Sequence, residues 1–228
     1  KDEKEQKTPK RPTALYERLK KELAPSAWKA LTEHPFFKDD PDKVFDLCGI
    51  GGLEKDILGE ISSVDIRTSK DQRTLILDVD SSNIDLIRNI QFDYGGTPTS
   101  IHNNLFVFKN KTSSGAGSSM FSSQVEAAKQ MGFKHIACEA AGSGRQEDNE
   151  DGYVGYYVWP ILGYDSPLKP VTSSEKRNLE IFCEGNKVEM PKTVQELYAI
   201  PGGRAWWKEF GWGLKKAKFD LSEGSKSL

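Results

Sequence analysis

Ser113-Ser114-Gly115-Ala116-Gly117 forms a glycine-rich turn between two regular patterns in the chain. Residues 101–108 before it have the apolar character of a strand, and residues 120–131 after it carry apolar side chains at helical spacing. A strand that leads through such a turn into a helix leaves backbone N–H groups without intrahelical acceptors. These donors and the positive end of the helix dipole favour an anion, typically a phosphate. The predicted donors are Gly115, Gly117, Ser118 and Ser119.

A plainer interpretation of the same turn stays open. Ser118 or Ser119 is a good N-cap residue, and a Gly-Ser loop before a helix is often no more than a capped loop. A dinucleotide-binding turn is disfavoured, because its G-x-G-x-x-G pattern needs a glycine where this chain has Met120. The turn by itself therefore indicates either an anion site or a helix cap.

The chain before the turn indicates antiparallel strands. Residues 64–67 and 75–79, separated by a polar turn at 69–72, predict a hairpin. Residues 84–92 fit a strand with apolar side chains at period two, and they also fit a helix. We favour the strand, paired with 101–108 in a second hairpin across a glycine turn.

Shorter patterns complete the chain on both sides. A charged tail at 1–12 and two helices, 13–23 and 25–34, come first. After the glycine turn we expect a strand at 135–140, an aromatic helix at 153–162, a strand at 179–182, a helix from the capping box at 193–196, a helical segment at 202–211 and a last strand at 218–221.

These elements predict an α+β fold with a mostly antiparallel, twisted sheet flanked by helices. The expected division of the chain is a charged tail and helical arm at 1–58, followed by one domain with a C-terminal extension at 59–228.

The order of patterns from 84 to 165 resembles the core of the GNAT superfamily of N-acetyltransferases. Gly115-Ala116-Gly117 matches the glycine turn of that family, 124–131 its helix and 134–139 its next strand. Residues 156–164 match an aromatic helix with a Leu-Gly-aromatic end, here Leu162-Gly163-Tyr164. The resemblance implies a GNAT-like domain of a divergent or virus-associated kind.

The resemblance also implies acetyl-CoA as the cofactor. Its pyrophosphate would lie on the turn, its pantetheine arm would pair with 106–108, and a backbone N–H there would polarise the thioester carbonyl. The cofactor-binding residues expected on this basis are Phe106, Val107, Phe108, Thr112, Gly115, Gly117, Ser118 and Ser119. Thr112 stands where the family has Arg or Gln, so one phosphate contact is lost.

The same resemblance implies a general base that deprotonates an amine and an acid that protonates the leaving thiolate. Trp159 occupies the position of the family's acidic Tyr, and an indole is a poor acid. Tyr156 and Tyr157, one turn earlier, are the substitute candidates, with core packing as the alternative role for these aromatics. Glu139 is the candidate base, and His102 is a second choice.

Two functions follow from these expectations. The first is an N-acyltransferase that moves an acetyl group from acetyl-CoA to a small-molecule or protein amine. The second is a catalytically inactive domain that serves as a structural or binding module in a larger assembly, such as a virus particle. The N-terminal arm and the Trp206-Trp207 pair are the candidate contacts for a protein partner, and we expect one of these tryptophans to be core and the other surface.

Composition narrows the partners. The chain has 228 residues and a formal net charge of −2, which gives no electrostatic basis for nucleic-acid binding. The apolar runs are too short for a bilayer, so no membrane partner is expected. The 3 cysteines and 3 histidines have no metal-ligand spacing, which predicts reduced thiols and a cytoplasmic protein. The first residue is Lys1, which suggests a piece of a longer polypeptide.

Overall fold

A six-stranded mixed sheet, open and mostly antiparallel, organises this α+β protein. The computed structural model describes residues 11–53, 57–109, 115–144, 154–225 and 227. The strands are β1 (Ile61–Thr68), β2 (Thr74–Ser81), β3 (Ile84–Phe92), β4 (Pro98–Phe108), β5 (His135–Ala140) and β6 (Leu214–Asp220). The helices are α1 (Thr13–Glu22), α2 (Pro25–Glu33), α3 (Lys43–Leu47), α4 (Ala116–Gln130), α5 (Gly155–Ile161), α6 (Ser173–Asn186), α7 (Val194–Ala199) and α8 (Gly203–Phe210), and Ile50–Gly52 forms a 3₁₀ turn.

The strands follow one another across the sheet in chain order. β1 pairs with β2, β2 with β3 and β5 with β6 in antiparallel fashion, whereas β4 and β5 are parallel. A parallel pair needs a crossover connection, which α4 supplies. The parallel register runs from Ser100 opposite His135 to Asn103 opposite Cys138, and β4 then continues to Phe108.

The chain divides into two compact units. The first unit takes in the described residues of Lys1–Thr97 and Leu105–Met131, and the second those of Pro98–Asn104 and Gly132–Leu228. β4 therefore contributes its first part to the second unit and its last part, Leu105 to Phe108, to the first.

The core of the first unit follows from strict alternation along its strands. β2 and β3 bury every second residue, because successive side chains of a strand point to opposite faces. The buried residues of these two strands include Leu75, Leu77, Val79, Ile84, Leu86 and Ile90. α1 and α2 contact β1 at one side of this unit.

A glycine run positions α4 in the first unit. A Cβ on Gly49 would overlap the carbonyl of Met120, and one on Gly52 would overlap the carbonyl of Ser119. Only glycine allows the 3₁₀ turn to lie this close to the first turns of α4. The side chain of Gln124 adds a hydrogen bond of 2.8 Å to the carbonyl of Leu47.

Aromatic residues fill the core of the second unit. Tyr164 is fully buried, and the amide of Asn103 donates a 3.1 Å hydrogen bond to its hydroxyl. Trp207 is also fully buried and packs edge-on against Trp212, with 4.7 Å between ring centroids. The Leu-Gly-aromatic segment noted in the sequence therefore ends with its aromatic ring in this core.

Several expectations from the sequence are confirmed. The hairpin of β1 and β2 is present, and residues 84–92 form a strand and not a helix. The strand at 135–140, the helix after Thr193 and the helix between Gly202 and Gly211 are also present.

The strand predicted at 179–182 is wrong, because these residues lie within α6. Thr172 caps this helix: its hydroxyl accepts from the Glu175 N–H, and the Glu175 side chain accepts from the Thr172 N–H. Leu179 and Cys183 are then buried one turn apart while Ile181 between them is exposed, which is a helical and not a strand pattern.

Candidate functional site

The N-terminus of α4 is the candidate anion site. Gly115 precedes the helix with φ of +95°, in the left-handed region that glycine tolerates best. The helix begins at Ala116, four residues before the predicted start at Met120, so the second half of the predicted turn is the first helical turn. Ser113 and Ser114 lie outside the described residues.

The donors at this helix end differ in part from those expected. The Ser119 N–H donates to the carbonyl of Gly115 at 2.9 Å, so it already belongs to the helix, and Ser119 offers only its hydroxyl. Ala116, Gly117 and Ser118 supply the N–H groups for which a helix has no internal acceptor. Among the described residues, no side chain caps this end. These three N–H groups are therefore the candidate donors to an anion.

Phe106 and Phe108 pack against this first turn. Their rings meet edge to face with 4.8 Å between centroids. A Cβ placed on Gly117 would lie 3.5 Å from Phe108 and 3.6 Å from Phe106, which is ordinary van der Waals contact. A side chain at position 117 would therefore point at the two rings, and the N–H groups of the turn are the groups left for a ligand.

The end of β4 that leads to α4 is apolar and half-exposed. Leu105, Phe106, Val107 and Phe108 are each partly accessible, although four successive apolar residues in a strand are usually buried on both faces. Thr112, the remaining predicted cofactor residue, lies outside the described residues.

Arg88 is a residue that the sequence analysis missed. It is only 2% exposed, on the core face of β3, and its Nη1 donates to the carbonyls of Leu105 (2.6 Å) and Ile87 (3.2 Å). Its guanidinium lies 5.3 Å from the centre of the Phe106 ring. A buried cation thus supports the strand end next to α4 and makes the electrostatic potential there more positive. The signal in the sequence was an arginine in phase with Leu86 and Ile90.

The buried thiol of Cys48 interacts electrostatically with Arg88. Cys48 is buried, and this burial raises the pKa of its thiol to about 12, although the positive charge of Arg88 opposes the rise. Cys48 is therefore a neutral core residue. Cys138 and Cys183 are likewise buried, and neither forms a disulfide.

The predicted catalytic residues lie in the second unit. Glu139 is an exposed residue of β5. Tyr156 is 5% exposed, its hydroxyl donates to the carbonyl of Lys208 at 2.7 Å, and burial raises its pKa. Tyr157 is partly exposed, and the Lys208 ammonium lies 5.7 Å from its ring centre. Tyr157 is thus the more accessible of the two phenols.

Trp159 and His102 have structural surroundings. Trp159 packs edge-on against Tyr164, with 5.1 Å between ring centroids. His102 is half-buried in β4, and its pKa is lowered first by burial and then by the charge of Lys218. A neutral imidazole of this kind can accept a proton.

The two adjacent tryptophans of α8 face different surroundings, as predicted. Trp207 is fully buried, and its indole N–H donates to the carbonyl of Tyr156 at 2.9 Å. Trp206 is partly exposed and lies near Phe182 and Phe210, at centroid distances of 5.3 and 5.6 Å.

The structure brings the described cofactor candidates together in the first unit and holds the catalytic candidates in the second. Within the described ranges, no helix combines the length and hydropathy of a transmembrane span. The same residues contain no cluster of three or more metal-ligating side chains. Comparison with protein-family models, with curated proteins and with solved structures found no match to this chain.

Proposed function

We propose that this protein is a GNAT-like N-acyltransferase that binds acetyl-CoA and transfers its acetyl group to an amine. The observation that carries the proposal is the N-terminus of α4, with Gly115 at φ +95° and no side-chain cap among the described residues, together with the half-exposed end of β4. Its setting adds support: α4 is the crossover of the parallel pair β4 and β5 in a sheet that is otherwise mostly antiparallel. This order of elements is the one on which the family resemblance depends.

Two parts of the cofactor would have a matching feature in the first unit. The pyrophosphate would accept hydrogen bonds from the N–H groups of Ala116, Gly117 and Ser118, where the helix dipole favours negative charge. The pantetheine arm would lie along the backbone of Leu105 to Phe108. The buried charge of Arg88 would add to the attraction for the anionic cofactor.

The transfer reaction needs two proton movements. A neutral amine attacks the thioester carbonyl carbon, a C–N bond forms, and the C–S bond breaks to release the thiolate. A base takes the proton of the attacking amine, and an acid protonates the thiolate. Glu139 and His102 are the candidates for the base. Tyr157 is a better candidate for the acid than Tyr156, whose hydroxyl proton is held by a backbone carbonyl.

A charge reversal at the helix end tests the binding site. Ser118 is exposed in the first turn of α4, and Ser122 is exposed one turn later. A carboxylate in the first turn stabilises a helix but repels phosphate, so Ser118→Glu should keep the fold and reduce acetyl-CoA affinity by at least about tenfold. Ser122→Glu adds the same charge away from the N–H groups and should change the affinity much less.

Isothermal titration calorimetry with acetyl-CoA measures both variants against the wild type. Equal affinities for wild type and Ser118→Glu would contradict a phosphate site at α4. Absence of binding to the wild type would contradict the proposed function as a whole. Ser118 is preferable to Gly117 for this purpose, because a side chain at 117 would meet the Phe106 and Phe108 rings.

A second candidate function is a non-catalytic module with the same fold. It is favoured by the Trp at position 159 and by the Tyr156 hydroxyl, which is engaged with the Lys208 carbonyl. A thiol-release assay with acetyl-CoA and a panel of amines separates the two functions. Release of coenzyme A that depends on the amine supports the enzyme, whereas a stable assembly on size exclusion with no thiol release supports the module.

A further inference from the structure

His34 ends α2 with both ring nitrogens in hydrogen bonds. The N–H of Phe36 donates to Nδ1 at 3.2 Å, and Nε2 lies 3.1 Å from the carbonyl oxygen of Gln72. A carbonyl can only accept, so the proton is on Nε2, and an N–H donor requires a bare Nδ1. These two partners therefore select a single neutral tautomer of His34.

The surroundings of the ring are apolar on its faces. Its centroid lies 5.2 Å from that of Phe37 and 4.8 Å from that of Phe92, and the residue is 3% exposed. Gln72, whose carbonyl accepts the hydrogen bond from Nε2–H, has φ of +55°. This conformation is uncommon for a residue other than glycine. His34 thus ties the end of α2 to a constrained turn between β1 and β2.

A cavity of about 210 Å³ borders this contact. Its lining residues are Ser26, Lys29, Ala30, Glu33, His34, Thr68 and Gln72. They belong to α2, to the end of β1 and to the turn before β2, so the cavity lies between the two parts that His34 connects.

The charged groups around His34 are largely paired with one another. On α2, Lys29 lies 3.7 Å from Glu33, and on the hairpin Asp71 lies 2.7 Å from Arg73. β3 presents the ring of Phe92. In the segment after His34, the Lys38 N–H donates to the His34 carbonyl, Asp40 is paired with Arg11, and the Lys43 ammonium lies over the Phe36 ring.

We propose that His34 is a proton-operated latch: its neutral ring accepts the Phe36 N–H and so holds the chain just after α2, and protonation of Nδ1 releases that N–H while the Nε2–H bond to the Gln72 carbonyl remains. Protonation places a hydrogen on Nδ1, opposite the Phe36 N–H, so that two donors face each other and the hydrogen bond is lost. It also places a charge between the rings of Phe37 and Phe92, and among the described residues the nearby carboxylates of Glu33 and Asp71 lie in ion pairs with Lys29 and Arg73.

The direction of the pH effect follows from burial. Burial lowers the pKa of His34, and the hydrogen bond to the Gln72 carbonyl opposes this only in part. The unfolded or released ring titrates near its ordinary pKa of about 6.5. The latch is therefore closed above that pH, and it weakens as pH falls from about 6.5 through the lower pKa of the closed state.

NMR of the wild-type protein tests the latch directly. The imidazole nitrogens of His34 should show the Nε2–H tautomer at neutral pH. Hydrogen-exchange protection of the Phe36 amide, corrected for intrinsic rates, should fall by up to about tenfold per pH unit between the two pKa values. An Nδ1–H tautomer, or a Phe36 protection factor that does not change with pH, would overturn the proposal.

A matched pair of variants separates His34 from the other histidines. The amide of a glutamine can accept from Phe36 and donate to Gln72 without titrating, so His34→Gln should remove the pH dependence of Phe36 protection. His102→Gln lies in the second unit and should leave that dependence unchanged. Retention of the full pH response in His34→Gln would refute the assignment to His34.

Discussion

The hydroxyl of Tyr156 donates a 2.7 Å hydrogen bond to the carbonyl of Lys208, and the indole of Trp207 donates back to the carbonyl of Tyr156. The two bonds join α5 to α8 from both directions. Tyr156 is therefore a packing residue of the second unit before it is anything else, and its neighbour Tyr157 keeps an accessible ring.

Replacing each phenol in turn distinguishes structure from chemistry. Tyr156→Phe removes the donor to a partly buried carbonyl and should lower the free energy of unfolding by about 1 kcal/mol, as measured by urea unfolding. Tyr157→Phe should change stability little and should slow amine-dependent thiol release. The reverse pattern, with slow release only in Tyr156→Phe, would show that Tyr156 is the acid.

Gly115→Ala isolates the backbone requirement at the start of α4. An added Cβ would meet no atom of the described residues within 4 Å, so the expected effect comes from φ of +95°. We expect a loss of about 1 kcal/mol in unfolding free energy.

The control for this glycine is Gly185→Ala, in α6. It also has open space around its Cβ but lies within a helix, so it should gain up to about 1 kcal/mol. Equal effects of the two substitutions in thermal unfolding would contradict the left-handed conformation at Gly115.

Removal of the Thr172 hydroxyl should show how much the capping box contributes to the free energy of unfolding. Thr172→Ala removes the acceptor for the Glu175 N–H and should cost about 1 kcal/mol of unfolding free energy, whereas Thr172→Ser should retain most of the stability. Thermal unfolding followed by circular dichroism provides the comparison. An unaffected Ala variant would mean that packing of Leu179 and Cys183 alone holds the start of α6.

Acid should destabilise the second unit through a pair of histidines. The pKa of His102 and that of His135 are both lowered, first by burial and then by the charge of Lys218. Lys134 lowers the pKa of His135 further, and Asp220 opposes that shift. Because the folded values lie below the unfolded value of about 6.5, stability is full above that pH and falls as pH drops below it.

Tryptophan fluorescence is a suitable probe for this effect, because every tryptophan except Trp28 lies in the second unit. Urea midpoints should fall between about pH 7.5 and about pH 5, and the fall should be smaller in His135→Gln. A midpoint that rises on acidification would contradict the sign of both shifts.

Local sequence patterns were sufficient to predict an element where one periodicity extends over its whole length. The alternation along 84–92 predicted β3 because only a strand buries every second residue. Local patterns were insufficient at 179–182, where the apolar run fits both a strand and a helix. The capping box at Thr172, which marks the start of the helix, was overlooked. The start of α4 was misplaced because glycine and serine are weak helix formers, and the contact of Gly49 and Gly52 with Met120 and Ser119 offsets that weakness.

The sequence by itself determined the α+β class, most of the strands and the glycine turn before α4, because each depends on residues that are close together in the chain. Only the tertiary structure decided that Arg88 lies buried against Phe106, that Tyr156 is bonded to Lys208 and that the ring nitrogens of His34 are bonded to Phe36 and Gln72. These relationships join residues that are brought into contact by packing, and hydrogen-bond direction and burial have no counterpart in the spacing of residues along the chain.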